Sequence, residues 1–197
     1  MKTAILMCSA IAYLSSVAIA ANDPKSVAEG TAIGQRVPQL TAEIIDVKGA
    51  RPRTTKFDSH KTKHITAYTF VGTTCPATNA YVDRFKDLEH RYGPKGVDFI
   101  YLYPNGNDSH DTQIAFHKAK GFAGPLIDDH GAHLAQLFGA KRTTEIFVAD
   151  KQGIIVYHGG VDDSREPRAI TQHYLSTALD QLLARKPITT STTDVFA

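Results

Sequence analysis

The sequence contains no tryptophan and only two cysteines in 197 residues. Cys8 lies inside an apolar N-terminal stretch, so a chain cleaved after that stretch keeps Cys75 alone. That excludes an internal disulfide and any reaction needing two thiols of one chain. Charge of one sign is also lacking: Lys and Arg number 22 against 20 Asp and Glu, and without Lys2 the balance is 21 to 20. No basic or acidic field therefore points to nucleic acid or to an anionic membrane surface. Beyond residue 20 no apolar run is long enough to span a bilayer. Glycine-rich phosphate loops and nucleophile-elbow motifs are missing, which leaves phosphate-loop and Ser-His-Asp chemistry without support. Internal repeats are missing too.

What remains suits one α/β domain with a full core, with 42% of residues hydrophobic and 21% charged. The opening "MKTAILMCSAIAYLSSVAIA" has an early lysine, an apolar run and Ala18-Ile19-Ala20 before "ANDP", the pattern of a secretory signal over residues 1–20. An uncleaved anchor is the alternative, although Cys8, Tyr13, Ser15 and Ser16 interrupt the run. A lipoprotein signal fits poorly because Met7 precedes Cys8. Residues 21–36 look like a polar lead-in, and the Thr/Ser-rich end, residues 188–197, looks unstructured.

Between these ends, "VPQLTAEIIDVKGARPR" alternates around Lys48-Gly49 as a short hairpin does. "HITAYTFVG" is rich in β-branched and aromatic residues and reads as a central strand. Ala77, Tyr81, Phe85, Leu88 and Tyr92 then form one apolar helical stripe, with Pro76 in the first turn, where its missing N–H is harmless. "VDFIYLYP" reads as a second buried strand, "DTQIAFHKAKGF" as a helix and "GAHLAQLFGA" as a short one. "TEIFVADKQGIIVYHGG" reads as a hairpin turning at 150–153, and "PRAITQHYLSTALDQLLARK" as an amphipathic helix through Ile170, Tyr174, Ala178 and Leu182. A βαβ unit followed by a hairpin and a terminal helix implies a mixed sheet covered on both faces.

The stretch "FVGTTCPATNA", residues 70–80, places Cys75 just before the first helical turn. Free N–H groups and the positive end of the helix dipole favour thiolate there, and cysteine pKa values at such places fall by roughly one to several units from about 8.5. Thr73 and Thr74 could add hydroxyl hydrogen bonds, although threonines after a strand also serve turns. Position alone is equally compatible with an inert, packed thiol.

Three segments together, "TFVGTTCPATNAYVDRFKDLEHRYGPKGVDFIYLYPN", "PLIDDHGAHLAQLFGAKRTTEIFVADKQGIIVYHGGVDD" and "LSTALDQLLARKPI", resemble the redoxin family, the alkyl hydroperoxide reductase/thiol-specific antioxidant branch of the thioredoxin fold. The resemblance spans roughly residues 34–190. It implies a thioredoxin-like α/β domain over 37–187, with a mixed central sheet and helices on both faces, in which Cys75 attacks peroxide or disulfide. It also exposes departures. Thr78 stands where dithiol members carry a second cysteine, and Gly72 where peroxiredoxins carry a threonine. Thr144 stands where thioredoxins have a cis-proline and peroxiredoxins an arginine. Arg142, two residues away, could supply that positive charge or could simply be solvated. Cys75, Thr74, Arg142 and Thr144 are the candidate site residues.

Two histidine pairs have metal-ligand spacing: His60 with His64, and His130 with His133 beside Asp128 and Asp129. Both lie in polar stretches where solvated histidines are commoner. The copper-chaperone branch needs a second cysteine where Asn79 stands and a histidine that "GAKRTTEIF" lacks. His158, Asp162 and Asp163 could face the site or make the turn into the last helix. The expectation is a secreted or periplasmic single-cysteine thiol oxidoreductase or antioxidant protein, free of cofactor and metal, that meets a peroxide or disulfide and an external thiol reductant. The alternative is a redox-inactive thioredoxin-fold module binding a protein partner or a metal.

Overall fold

The structure, a computed structural model, describes residues 31–49 and 51–196; the expected signal and most of the lead-in lie outside them. Its organising element is β3 (Ile65–Phe70), six residues that are all buried. Successive side chains of a strand point to opposite faces. Ile65 and Ala67 accordingly enter one apolar cluster, while Tyr68 and Phe70 enter another. β4 (Val97–Tyr103) does the same, with Val97, Phe99, Tyr101 and Tyr103 on the first side and Ile100 and Leu102 on the second. A strand wet on neither face needs this near-continuous apolar and β-branched content.

Both faces are covered by helices. α1 (Pro76–Tyr92) lays its expected stripe on the first cluster, where Tyr81, Phe85, Leu88 and Tyr92 are buried. It is joined there by α4 (Tyr174–Leu183) through Leu175, Ala178 and Leu179, and by Ile114 and Phe116 of α2 (His110–Lys120). α3 (His133–Phe138) closes the second face through Leu134, Ala135 and Phe138, helped by Val37 and Leu40. Among the described residues no helix is long and apolar enough to cross a membrane.

The sheet adds the hairpin of β1 (Thr41–Asp46) and β2 (Arg53–Asp58), the short β5 (Leu126–Asp128), and the hairpin of β6 (Ile146–Ala149) and β7 (Ile155–Gly159). The order is β2-β1-β5-β4-β3-β6-β7. β3, β4 and β5 are parallel, and the other pairings are antiparallel. The mixed, doubly covered sheet expected from the element order is present.

Three details depart from expectation. β5 is a strand of only three residues, too short to show a period. The last helix starts at Tyr174 and excludes Ile170, because the Asp163 carboxylate takes both the N–H and the hydroxyl of Thr171 while the Asp163 N–H bonds Gln172 O at 3.2 Å. Part of the Thr/Ser-rich end pairs with β7: Ser191 O accepts the His158 N–H at 2.9 Å, and the Thr193 N–H reaches His158 O at 3.1 Å. Threonines suit extended backbone, and the diglycine beneath them leaves room, since a Cβ on Gly160 would lie 2.7 Å from Asp194 O. Further along β7, Gly34 and Gln35 exchange 2.8 Å backbone hydrogen bonds with Ile155. The two polar ends thus cover the edge strand, whose open N–H and C=O groups would otherwise invite another chain.

Closest approach occurs at Gly124, where a Cβ would stand 2.0 Å from Phe99 O. Glu89 of α1 holds this loop against the sheet by accepting the N–H groups of Ala123 (2.9 Å) and Gly124 (2.5 Å). Burial pushes the Glu89 carboxyl up from its ordinary range, against the pull of those N–H groups. Gly124→Ala should lower stability by about 3 kcal/mol in urea unfolding, because backbone must move to admit the methyl. A loss below about 1 kcal/mol would mean that the contact is not a tight one.

Candidate functional site

The site forms where β3 ends and α1 begins. Residues 71–74 leave the sheet in a loop held by four bonds: the Val71 N–H to Leu102 O (2.9 Å), the Gly72 N–H to Thr78 Oγ1 (3.1 Å), the Thr73 N–H to Asp108 Oδ2 (3.4 Å) and the Cys75 N–H to Gly72 O (3.4 Å). Cys75 is the helix N-cap, with φ −74° and ψ 122°, and Pro76 follows in the first turn. The Asn79 backbone N–H and side-chain Nδ2 both donate to Cys75 O, at 3.2 and 3.0 Å, so the residue is anchored by its carbonyl. Its sulfur makes no capping bond and is free to face the loop opposite.

That loop precedes β6. The Thr143 hydroxyl lies 2.9 Å from Cys75 Sγ, within hydrogen-bond distance. Thr144 behind it is buried and held at φ +65°, a left-handed conformation costly for a β-branched residue, at roughly 1–3 kcal/mol. Sheet bonds on either side enforce it: the Thr144 N–H donates to Phe70 O at 2.7 Å, and the Phe70 N–H to Glu145 O at 3.0 Å. A Cβ at position 72 would be in ordinary contact, 3.4 Å from Cys75 Cβ and 3.6 Å from Thr143 Cγ2, so a single methyl would fit there. A threonine at position 72 would have to share that gap.

Burial alone would raise the Cys75 pKa. The Thr143 hydroxyl, the N–H groups of Thr78 and Ala77 at the helix start and the Thr78 hydroxyl outweigh it, so the thiol is held below its ordinary value. The helix N–H groups form no direct cap and act as partial charges at longer range. Beside the half-buried sulfur opens a cavity of about 360 Å³, with Phe70, Val71 and Pro104 in its wall and Thr74, Lys141 and Arg142 also lining it.

Of the four expected residues, Cys75, Thr74 and Arg142 therefore share one cavity, while Thr144 is packed behind it. The hydroxyl on the sulfur comes from Thr143, and not from Thr73 or Thr74: the Thr73 hydroxyl is buried without a partner. Thr143 was within reach of sequence reasoning only as the neighbour of Thr144. The Arg142 guanidinium donates to Val195 O at 3.3 Å. Thr78, in the place of a second cysteine, spends its hydroxyl on the Gly72 N–H.

The remaining candidates have structural partners. His60 Nε2 meets Val37 O at 2.9 Å and His64 Nδ1 meets Asp98 at 2.9 Å, so each half of that pair is engaged elsewhere. His130 and His133 are exposed, and Asp129 accepts the N–H groups of Leu134 and Ala135 at the start of α3. Among the described residues no group of three or more His, Cys, Asp and Glu side chains is placed to hold a metal ion. Asp162 is buried under Arg84, at 2.7 Å, and Asp163 holds Thr171. His158 donates to Glu145.

The doubly covered mixed sheet, with a cysteine capping the first helix of the central βαβ unit, defines a thioredoxin-like α/β protein. The Redoxin family model matches residues 32–175, and the chain belongs to the redoxin family of thioredoxin-like redox proteins. Among solved structures, an uncharacterized conserved protein from Geobacillus kaustophilus is similar at 23% identity and TM-score 0.71, covering 83% of this chain and 88% of its own. A putative thiol:disulfide interchange protein DsbE from Chlorobium tepidum is similar at 16% identity and TM-score 0.54, covering 66% and 85%. Mycobacterium tuberculosis AhpC is similar at 14% identity and TM-score 0.56, covering 79% and 98%. At these identities the likenesses concern the fold. Among curated proteins none matches the sequence.

The Cys75 alkylation rate, followed against pH, should show a midpoint below the ordinary thiol value of about 8.5. Thr143→Ala should raise it by about half to one pH unit, the difference in worth between a hydrogen bond to the thiolate and one to the neutral thiol. An unmoved midpoint would remove Thr143 from the account of the sulfur's acidity.

Proposed function

We propose that the chain is an exported thiol oxidoreductase that works through Cys75 alone, reacting with a peroxide or a disulfide and relying on an external thiol for reduction. The observation that carries this is the sulfur at the α1 start, with the Thr143 hydroxyl at 2.9 Å and an open cavity beside it. Thiolate is the attacking species. With peroxide, an S–O bond forms as the O–O bond breaks; the sulfenic acid remains on Cys75, and the departing alkoxide or hydroxide takes a proton from water. An external thiol condenses with the sulfenic acid, releasing water and leaving a mixed disulfide, and a second thiol frees Cys75. With a disulfide, one S–S bond forms as another breaks, and the departing thiolate carries the electron pair. Thr78 rules out resolution within the CxxC spacing, so the reductant comes from another molecule. Export, to the periplasm or outside the cell, is supported by the pattern of residues 1–20. Peroxide, disulfide and thiol are the expected partners.

The test is turnover of hydrogen peroxide and of a small disulfide with a monothiol as reductant. Cys75 should react about tenfold faster than free cysteine at neutral pH, and Cys75→Ser should abolish the reaction. An inert Cys75, together with a protein or metal that stays bound to Cys75→Ser, would establish the redox-inactive binding module instead.

A further inference from the structure

The loop that presents Thr143 to the sulfur is shaped from below by one carboxylate. Glu145 is buried, and its Oε2 accepts the backbone N–H groups of Lys141 (2.7 Å) and Arg142 (3.0 Å), the two residues before Thr143. Its Oε1 lies 2.6 Å from His158 Nε2. A carboxylate only accepts, so Nε2 carries the proton. The imidazole is itself fixed: its ring stacks on Phe147 at 4.0 Å and 13°, and its backbone bonds Ser191 and Thr193 of the C-terminal end. No step of the proposed reaction uses either residue.

We propose that Glu145 and His158 are positioning residues for Cys75, holding the 141–144 loop so that the Thr143 hydroxyl stays on the sulfur. The proposal rests on the thiolate reading above. Three donors converge on Glu145, two N–H groups and one imidazole, and both carboxylate oxygens are used. An amide offers one acceptor oxygen and turns its other end into a donor. Glu145→Gln can keep all three contacts, because the neutral imidazole can move its proton to Nδ1 and accept from the amide, whereas Glu145→Leu keeps roughly the volume and offers no acceptor to the loop or the imidazole. The influence is geometric: Glu145 reaches the sulfur through the backbone of the loop that carries Thr143. The other charged groups around the pair are Lys141 and Arg142, whose exposed side chains reach the cavity beside the sulfur, and Asp194 at the C-terminal end. Asp108 holds the opposite loop through the Thr73 N–H.

The experiment is the Cys75 alkylation midpoint in the full chain, for the wild type, Thr143→Ala, Glu145→Leu and the double variant. Glu145→Leu should raise the midpoint by about half to one pH unit, as Thr143→Ala does. The double variant should go no higher than Thr143→Ala alone, because residues acting through one contact are not additive. A Glu145→Leu midpoint equal to the wild type overturns the proposal, and so does a full further shift in the double variant. If Glu145→Leu does not fold, His158→Phe replaces it, keeping a ring on Phe147 without the Nε2–H donor. A raised midpoint there supports the proposal and an unmoved one overturns it. A wild-type midpoint at the ordinary thiol value would sink the thiolate reading and the positioning role together. A depressed wild-type midpoint indifferent to residues 145 and 158 would sink the positioning role alone.

Discussion

Burial of β3 on both faces is the constraint from which the rest follows. With α1, α2 and α4 on one side and α3 on the other, the strand can meet polar chemistry only at its ends. At the C-terminal end the chain must leave the sheet and start α1, which puts the unpaired N–H groups of a helix start against the sheet's rim. Cys75 occupies that point. The antiparallel neighbour β6 begins at the same rim, so the loop before it arrives opposite the sulfur, and the hydrogen bonds between Phe70 and residues 144 and 145 fix the register. A thiol and a hydroxyl 68 residues apart in sequence thus meet through the pairing of two strands.

The same sheet has an open flank at β7, and the chain closes it with its own polar ends. Residues 34–36 pair near Ile154 and Ile155, and residues 191–193 pair around His158. Neither segment carries the alternation of a sheet strand, and each contributes only a bridge or two. Their polarity suits this place, because one side faces water. A longer apolar strand there would simply have moved the exposed edge outward.

Much of this architecture is legible in the sequence because burial imposes periods. Tyr81, Phe85, Leu88 and Tyr92 repeat with the helix, and the runs in β3, β4 and β6 are too apolar for anything but a covered sheet. β5 escapes notice because three residues cannot establish a period. The start of α4 escapes because Asp163 captures Thr171, a contact that helix propensity does not encode. Cys75 is legible from its place before Pro76. Thr143 is not, since its role depends on the left-handed turn at Thr144, and nothing about a threonine doublet announces which hydroxyl turns inward. Glu145 and His158 are hidden for a related reason: their meeting requires β6 and β7 to pair, and each residue alone passes for a polar end of a strand.

His158 is where three segments are tied together. Its ring serves the loop through Glu145, its N–H and C=O serve the C-terminal end, and its own strand belongs to the hairpin. In terms of native-state opening, the loop and the end are not independent hinges but parts of one cooperative unit. Such a unit implies that amide protons on Lys141, Arg142 and Thr193 share one opening free energy for exchange with solvent. Loosening residues 191–193 would then reach the loop beside the sulfur through the stability of that unit.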